Sequence, residues 1–163
     1  MPIRAWVAEQ HEAETAAALL IAFRDHNGSD WPSDNAFYAG VEKLLEDPNT
    51  EFLLASTDDD SPPTGVCQVR FRWGIWKAAT DAWLEDLYVR PEARRHGLGD
   101  ALVKLAIERA AERGARRIEL DTNEENAGAI ALYERNGFST RSKATPALPG
   151  RDLFLGCAIE RED

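Results

Sequence analysis

Two spacings of apolar residues alternate along the chain. Ile3 to Ala8 reads as a first strand, and Glu12 to Arg24 as a helix with Ala16, Leu19, Leu20 and Phe23 on one face. His26 to Asp34 is rich in Gly, Pro, Asn and Ser and reads as a loop. Ser33 or Asp34 then caps a second helix, Asn35 to Glu46, which Asp47-Pro48 stops. Glu51 to Ser56 is a short strand, and the turn Asp58 to Gly65 joins it to a strand from Val66 to Trp73 as a hairpin. Ile75 to Ala79 has no clear pattern, and Ala82 to Val89 is the next strand, ended by Pro91.

Beyond it a basic, glycine-containing loop, Glu92 to Gly97, opens a long helix. That helix runs from Leu98 to Arg113, with Leu98, Ala101, Leu102, Leu105 and Ala106 on a broad apolar face and Gly114 at its end. Arg117 to Asp121 is a strand and Asn126 to Arg135 a short helix. Phe138 to Arg141 and Asp152 to Ile159 read as a closing strand pair. The order predicts an α/β domain spanning residues 1–163, its mixed sheet antiparallel at the start and parallel at the centre.

Composition narrows the functional classes. The 163 residues carry 19 Lys+Arg and 29 Asp+Glu, a net charge of −10. Nucleic-acid binding, driven by phosphate neutralisation, is not expected of such a chain. A cationic small-molecule partner is favoured. No run approaches the ~18 apolar residues of a membrane helix, so no membrane partner is expected. The first residues lack a basic segment followed by an apolar one, so no secretory signal is expected. Cys67 and Cys157 are too few for a disulfide framework or a four-thiolate site. The expected location is the reducing cytoplasm, the two thiols read as small core residues, and no metal is expected.

Arg94-Arg-His-Gly-Leu-Gly99 has the form Arg-x-x-Gly-x-Gly between a strand and a helix. Helix-opening N–H groups lack intrahelical partners, the helix dipole adds positive charge, and glycine permits close approach to the backbone. Arg94, Arg95 and His96 add cations. Two readings stand on this segment alone: a pyrophosphate cradle, or a glycine-containing helix start with solvated arginines. Neither the P-loop pattern nor Gly-x-Gly-x-x-Gly is present.

The second half adds Asn126-x-x-Ala-x-x-x-Tyr133-x-x-x-Gly-Phe138, and Leu87-Tyr-Val-Arg-Pro precedes the loop. With these three signals in order, the chain resembles the GNAT superfamily of N-acetyltransferases, most strongly over residues 82 to 138. The resemblance implies acetyl-CoA as co-substrate and an amine acceptor. It implies that the backbone of Arg94, Arg95, His96, Gly97, Leu98, Gly99 and Asp100 holds pyrophosphate, and that the pantetheine arm lies along Leu87, Tyr88 and Val89. The strand is implied to splay from its neighbour, Arg117 to Asp121. Asn126 is carried over as a ligand of CoA or substrate, with a helix cap as an equally good physical role.

Acetylating an amine requires loss of a proton from an ammonium whose ordinary pKa is near ~10.4, and stabilisation of a departing thiolate. Glu85 and Asp86 lie mid-strand. Simple alternation puts Trp83, Glu85, Leu87 and Val89 on one face and Leu84, Asp86 and Tyr88 on the other. The plain alternative is that both carboxylates are solvated or salt-bridged, and the string Trp83-Leu-Glu-Asp-Leu-Tyr-Val89 bears on the choice. That string is similar to the polyamine and thialysine branch of the superfamily. The match implies Glu85 as base, directly or through water, Asp86 as a ligand of a cationic acceptor, and Tyr133 as the acid.

Asp30, Trp31, Asp34 and Tyr38 fall where the family places its acceptor-binding loop and second helix, and acidic and aromatic groups suit an organic cation. A solvated loop is the plain alternative. Arg70, Arg72, Trp73 and Trp76 are candidates for a homodimer edge or a pocket wall. The reading that follows is acetyl transfer to a small cationic amine. Its alternatives are an acetyltransferase for protein N-termini or lysines, and a non-catalytic CoA-binding regulatory domain.

Overall fold

Apolar runs broken by turn residues become strands. In the computed structural model, which describes residues 2–139 and 155–159, one five-stranded sheet is built in chain order. Its members are β1 (Arg4–Val7), β2 (Thr50–Ser56), β3 (Gly65–Gly74), β4 (Ala79–Val89) and β5 (Ala115–Glu119). β1 to β4 pair antiparallel through hairpins and a two-helix excursion. β5 joins β4 in parallel, which demands a crossover, and α3 (Leu98–Glu112) supplies it.

Helices cover both faces of the sheet. α1 (Ala13–His26) and α2 (Asp34–Glu46) bury Ala16, Leu19, Leu20 and Val41 against Phe52, Leu54, Val66 and Tyr88. α3 and α4 (Ala127–Arg135) cover the opposite face, where Leu98, Leu102 and Val103 meet Leu53, Cys67 and Val69. β2 is therefore buried along its whole length, which explains its unbroken Phe-Leu-Leu-Ala run. Each such Leu or Phe stabilises the fold by about 1.5–3 kcal/mol. Cys67 is a fully buried member of this core, as its sequence context implies.

The helix ends follow their capping chemistry. Ser33 Oγ accepts from the Ala36 N–H at 3.2 Å, and Gly114 leaves α3 at φ +77°. A carboxylate inside β2 ties α3 to the sheet. Glu51 accepts from Arg109 at 2.7 and 2.9 Å and from Arg113 at 2.7 Å. Burial pushes the Glu51 carboxyl up, but these arginines outweigh it and the net shift is downward. Arg113 also donates to the Pro48 carbonyl at 2.7 Å and lies over the Phe71 ring at 4.2 Å.

Three segments differ from the sequence reading. β4 starts at Ala79 because residues 75–78 form the tight turn of a β3–β4 hairpin, paired through Gly74↔Ala79. β5 lies two residues earlier than Arg117 to Asp121. The expected closing strand pair is not formed by Phe138, Ser139 or Leu155 to Ile159, none of which is in a strand. Phe138 instead donates its N–H to the Tyr133 carbonyl at 3.0 Å, a helix-terminal bond in place of a ladder bond. Cys157, expected in that strand, is exposed. The rest of the expected pair lies outside the described residues. No helix among the described residues is long and apolar enough to cross a membrane.

Candidate active site

The centre of β4 departs from regular pairing in two ways. Its register against β3 passes from Gln68↔Asp86 to Val69↔Leu84, so Glu85 is an extra residue in a β-bulge. Its pairing with β5 ends at Trp83↔Glu119, yet β4 continues to Val89. Along Leu84 to Val89 that edge has no strand partner among the described residues. An open backbone edge of this kind can take an extended ligand as an added strand.

The bulge corrects the simple alternation. Leu84, Leu87 and Val89 all pack on the α3 side, whereas Tyr88 packs beneath α1. The Tyr88 ring stacks on Phe23 at 5.2 Å and 19°, so its side chain belongs to the core and only its backbone is available at the edge.

The bulge also sets the environment of the carboxylates. Glu85 is exposed and lines a cavity of about 490 Å³ together with Arg70, Arg72, Asp81, Trp83 and Glu119. Asp86 is half-buried. Burial chiefly, then the charges of Glu85 and Asp121, push its carboxyl up. Tyr133 is 9% exposed and meets Phe138 edge-on at 5.7 Å. Burial first, and the nearby Asp86 carboxylate with it, push its phenol up to about 12. It is therefore protonated at neutral pH, the state a proton donor needs. Asp86 also acts on Cys67, which places the carboxylate, the thiol and the phenol in one neighbourhood. Burial pushes the Cys67 thiol up, away from a nucleophilic thiolate.

β4 delivers the chain into the loop Arg94 to Gly99. Arg95 (φ +67°) and Gly97 (φ +89°) are left-handed, and the Ala101 N–H reaches back to the Gly97 carbonyl at 3.0 Å. The N–H groups of Leu98, Gly99 and Asp100 precede the first intrahelical donor, and they sit at the positive end of α3. This arrangement fits a pyrophosphate, and the open edge of β4 leads to it.

Each glycine has its own reason. A Cβ on Gly97 would stand 3.1 Å from Ile3 Cδ1 in a backbone state that side chains rarely adopt. A Cβ on Gly99 would stand 3.1 Å from Leu132 Cδ2, so this glycine lets α4 pack against α3. Side chains of the loop are partly committed. Arg94 donates to the Val89 carbonyl at 2.9 Å and lies 5.9 Å from the Tyr88 ring, and Leu98 is buried in the core. Asp100 accepts from Arg135 at 2.9 and 3.0 Å and from Asn136 at 2.9 Å, which holds its carboxyl low. Arg95 and His96 are exposed.

The structure does not gather every expected residue. Asn126 uses its side-chain oxygen as the α4 cap, accepting from the Ala129 N–H at 3.3 Å. Asp34 forms an ion pair with Arg24 at 2.8 Å. Trp31 is 77% exposed and Tyr38 is exposed as well. None of Trp31, Asp34 or Tyr38 lines the cavity that holds Glu85. Arg70 and Arg72 are pocket wall, one of the two roles their sequence allowed. The contributions of Asp81 and Glu119 were not foreseen. The visible signal was the alternation Arg70-x-Arg72 facing Asp81-x-Trp83 across a hairpin. No three His, Cys, Asp or Glu side chains among the described residues are grouped to hold a metal ion.

With this geometry in place, comparison with known proteins identifies the family. The family model described as "Acetyltransferase (GNAT) family" matches residues 8–138. The [ribosomal protein bS18]-alanine N-acetyltransferase of Escherichia coli K12 is 37% identical over 82 residues, 48% of this chain and 55% of that one. The thialysine N-epsilon-acetyltransferase of Bos taurus is 32% identical over 87 residues, 50% of this chain and 51% of that one. The chain thus matches about half the length of these two relatives. A crystal structure from Arthrobacter sp. FB24, assigned to the acetyltransferases, superposes with a TM-score of 0.77 at 30% identity, covering 92% of this chain and 96% of that one. The chain belongs to the GNAT acetyltransferase family.

Proposed function

From membership of the GNAT family, we propose that this chain transfers the acetyl group of acetyl-CoA to the amine of a small cationic acceptor. The supporting observation is the β4 bulge. It leaves Glu85 exposed at an open cavity and next to the half-buried Asp86, whose charge reaches the buried phenol of Tyr133, while Asp86 and Tyr133 themselves lie outside the lining of that cavity. Acetyl-CoA supplies an acyl group already activated as a thioester. Leu98, Gly99 and Asp100 offer backbone N–H groups to its pyrophosphate, and the edge Leu87 to Val89 offers backbone partners to its arm.

Glu85 takes a proton from the acceptor ammonium, directly or through one water, which frees the nitrogen lone pair. The nitrogen–carbon bond forms as the carbon–sulfur bond breaks. Tyr133 gives its proton to the departing sulfur, and the second proton of the attacking nitrogen passes to the tyrosinate, directly or through water, which completes the amide and restores the phenol. Asp86 faces the ammonium as a countercharge, and the net charge of −10 favours encounter with cations. The test is incubation with acetyl-CoA and a panel of polyamines, amino acids, aminoglycosides and peptides, with acetylated products identified by mass. A small cationic amine is the expected product. Acetyl-CoA binding without transfer to any amine would contradict the proposal and leave a CoA-binding module.

A second reading is acetylation of a protein N-terminus, supported by the name of the Escherichia coli relative. Peptides would then be acetylated with higher kcat/KM than any small amine in the same panel.

A further inference from the structure

The sheet face beneath α1 and α2 changes character within three rungs of side-by-side residues on β2, β3 and β4. Leu54, Val66 and Tyr88 form one rung, buried in the core. Thr50, Arg70 and Trp83 form another, in which Arg70 is exposed and lines the cavity of Glu85 together with Trp83. Between these rungs stand Phe52, Gln68 and Asp86. Phe52 is fully buried and Gln68 is 5% exposed. Yet the Gln68 carboxamide makes no hydrogen bond among the described residues. It is not sealed off either, since the fully enclosed, unbonded side-chain oxygens among these residues are those of Thr50 and Thr64. Buried polar groups are seldom left without partners, because they give up water and gain nothing in return. A leucine or methionine at this position would simply extend the core of Phe52 and Val66.

We propose that the Gln68 carboxamide binds the reacting amine of the acceptor alongside Asp86. This inference rests on the acetyl-transfer reading above, with Asp86 as the countercharge. Partners opposite one another in a ladder hold their Cβ atoms about 4.5–5.5 Å apart, so one nitrogen can meet both side chains. The Asp86 carboxylate also makes no hydrogen bond among the described residues, and the charges that act on it, Glu85 and Asp121, are acidic. An amine brings the N–H donors that this pair lacks. As an ammonium it donates to Asp86 and to the Gln68 carbonyl oxygen. Once Glu85 has taken a proton, the charge attraction to Asp86 is gone, but the neutral amine still donates to the carboxamide. Gln68 thus holds the nitrogen in the form whose lone pair attacks. The contact is to the reacting nitrogen itself, so it is common to a small amine and a peptide N-terminus.

The experiment has a binding arm and a kinetic arm, both on the full chain. Gln10 and Gln68 are the chain's two glutamines, so nitrogen-15 labelling of glutamine side chains gives two carboxamide signals, and Gln68→Met shows which is which. Gln10 donates to the Glu42 carbonyl at 3.4 Å and serves as the internal control. Cadaverine and tetraalanine are titrated in turn into the CoA-bound chain. The Gln68 signal is expected to move with at least one of them while the Gln10 signal stays. In the kinetic arm, Gln68→Met, close to glutamine in length and shape, should raise KM about ten-fold for each amine of the panel that the native chain acetylates, with kcat little changed. Its unfolding temperature should be equal to the native one or higher, because an apolar group replaces an unbonded buried amide. A carboxamide with a purely structural role gives the reverse, a lower unfolding temperature and an unmoved KM. Either of those results, or a Gln68 signal that neither probe moves, would overturn this inference and leave the acetyl-transfer reading standing. Absence of transfer to every amine of the panel, with acetyl-CoA bound, would overturn that reading and this inference with it.

Discussion

Two clusters in this molecule have the same composition, one glutamate and two arginines, and opposite roles. Glu51, Arg109 and Arg113 close on one another, with the carboxylate 6% exposed and both oxygens bonded. Glu85, Arg70 and Arg72 line an open cavity and make no ion pair among the described residues. In the first cluster the charges are spent on each other, and their work is to hold α3 against β2. In the second they are left available, and the work falls to whatever enters the cavity. Charge type therefore does not mark a functional site.

Tyr133→Phe probes the functional side with the largest expected effect. It removes a hydroxyl and little packing, and kcat should fall about 10²-fold or more while acetyl-CoA binding persists. Full activity would make Tyr133 only a core aromatic. Glu51→Ala probes the structural side. It leaves two arginines without their buried partner, and stability should fall by about 3 kcal/mol in denaturant titration. A loss below about 1 kcal/mol would mean the cluster is not what holds α3.

The two clusters should also differ with pH. The folded-state pKa of Glu51 is depressed, so its contribution is fully present above the ordinary carboxylate range of about 4.3 and is lost as pH falls through its lower folded value. The stability gap between native chain and Glu51→Gln should shrink under acid. A gap independent of pH would contradict the ion-pair account.

Asp86 carries the opposite sign. Its folded pKa is raised, so the fold prefers it protonated and loses stability as pH rises from the ordinary value through the folded one. At neutral pH, Asp86→Asn should therefore stabilise the fold while raising KM for the acceptor. A destabilised variant with unchanged KM would place Asp86 in the structural class. The smallest effect is screening. Added salt should lower kcat/KM for a cationic acceptor severalfold without unfolding the chain, and a flat response would remove steering from the account.

Much of this comparison could be read from the sequence, and the limits have physical causes. Helical spacing located α1 and α3, a capping residue and a Pro stop located α2, and turn residues located the β2–β3 hairpin, because those signals are local. The Arg-x-x-Gly-x-Gly loop located the helix start, although the need for Gly99 arises from Leu132 on another helix. The bulge at Glu85 has no signature of its own. It exists only as a count of two residues against one across strands, and it reverses which side chains share a face. Glu51 stands 58 residues from Arg109, so periodicity could not pair them. A lone Glu inside a buried Phe-Leu-Leu strand was nonetheless a visible demand for a partner, and Arg109 and Arg113 share one face of a helix. Trp31, Asp34 and Tyr38 were chosen by type and position, and the structure does not bring them to the cavity.

The central claim is that the unpaired carboxylate at the bulge takes the acceptor's proton. The most direct measurement is kcat for Glu85→Gln across pH, with thermal unfolding recorded on the same preparation. The account predicts a kcat lower by about 10²-fold or more near neutral pH, a gap that narrows as rising pH supplies free amine, and an unfolding temperature within the error of the native chain. A native kcat in that variant, at every pH, would contradict it.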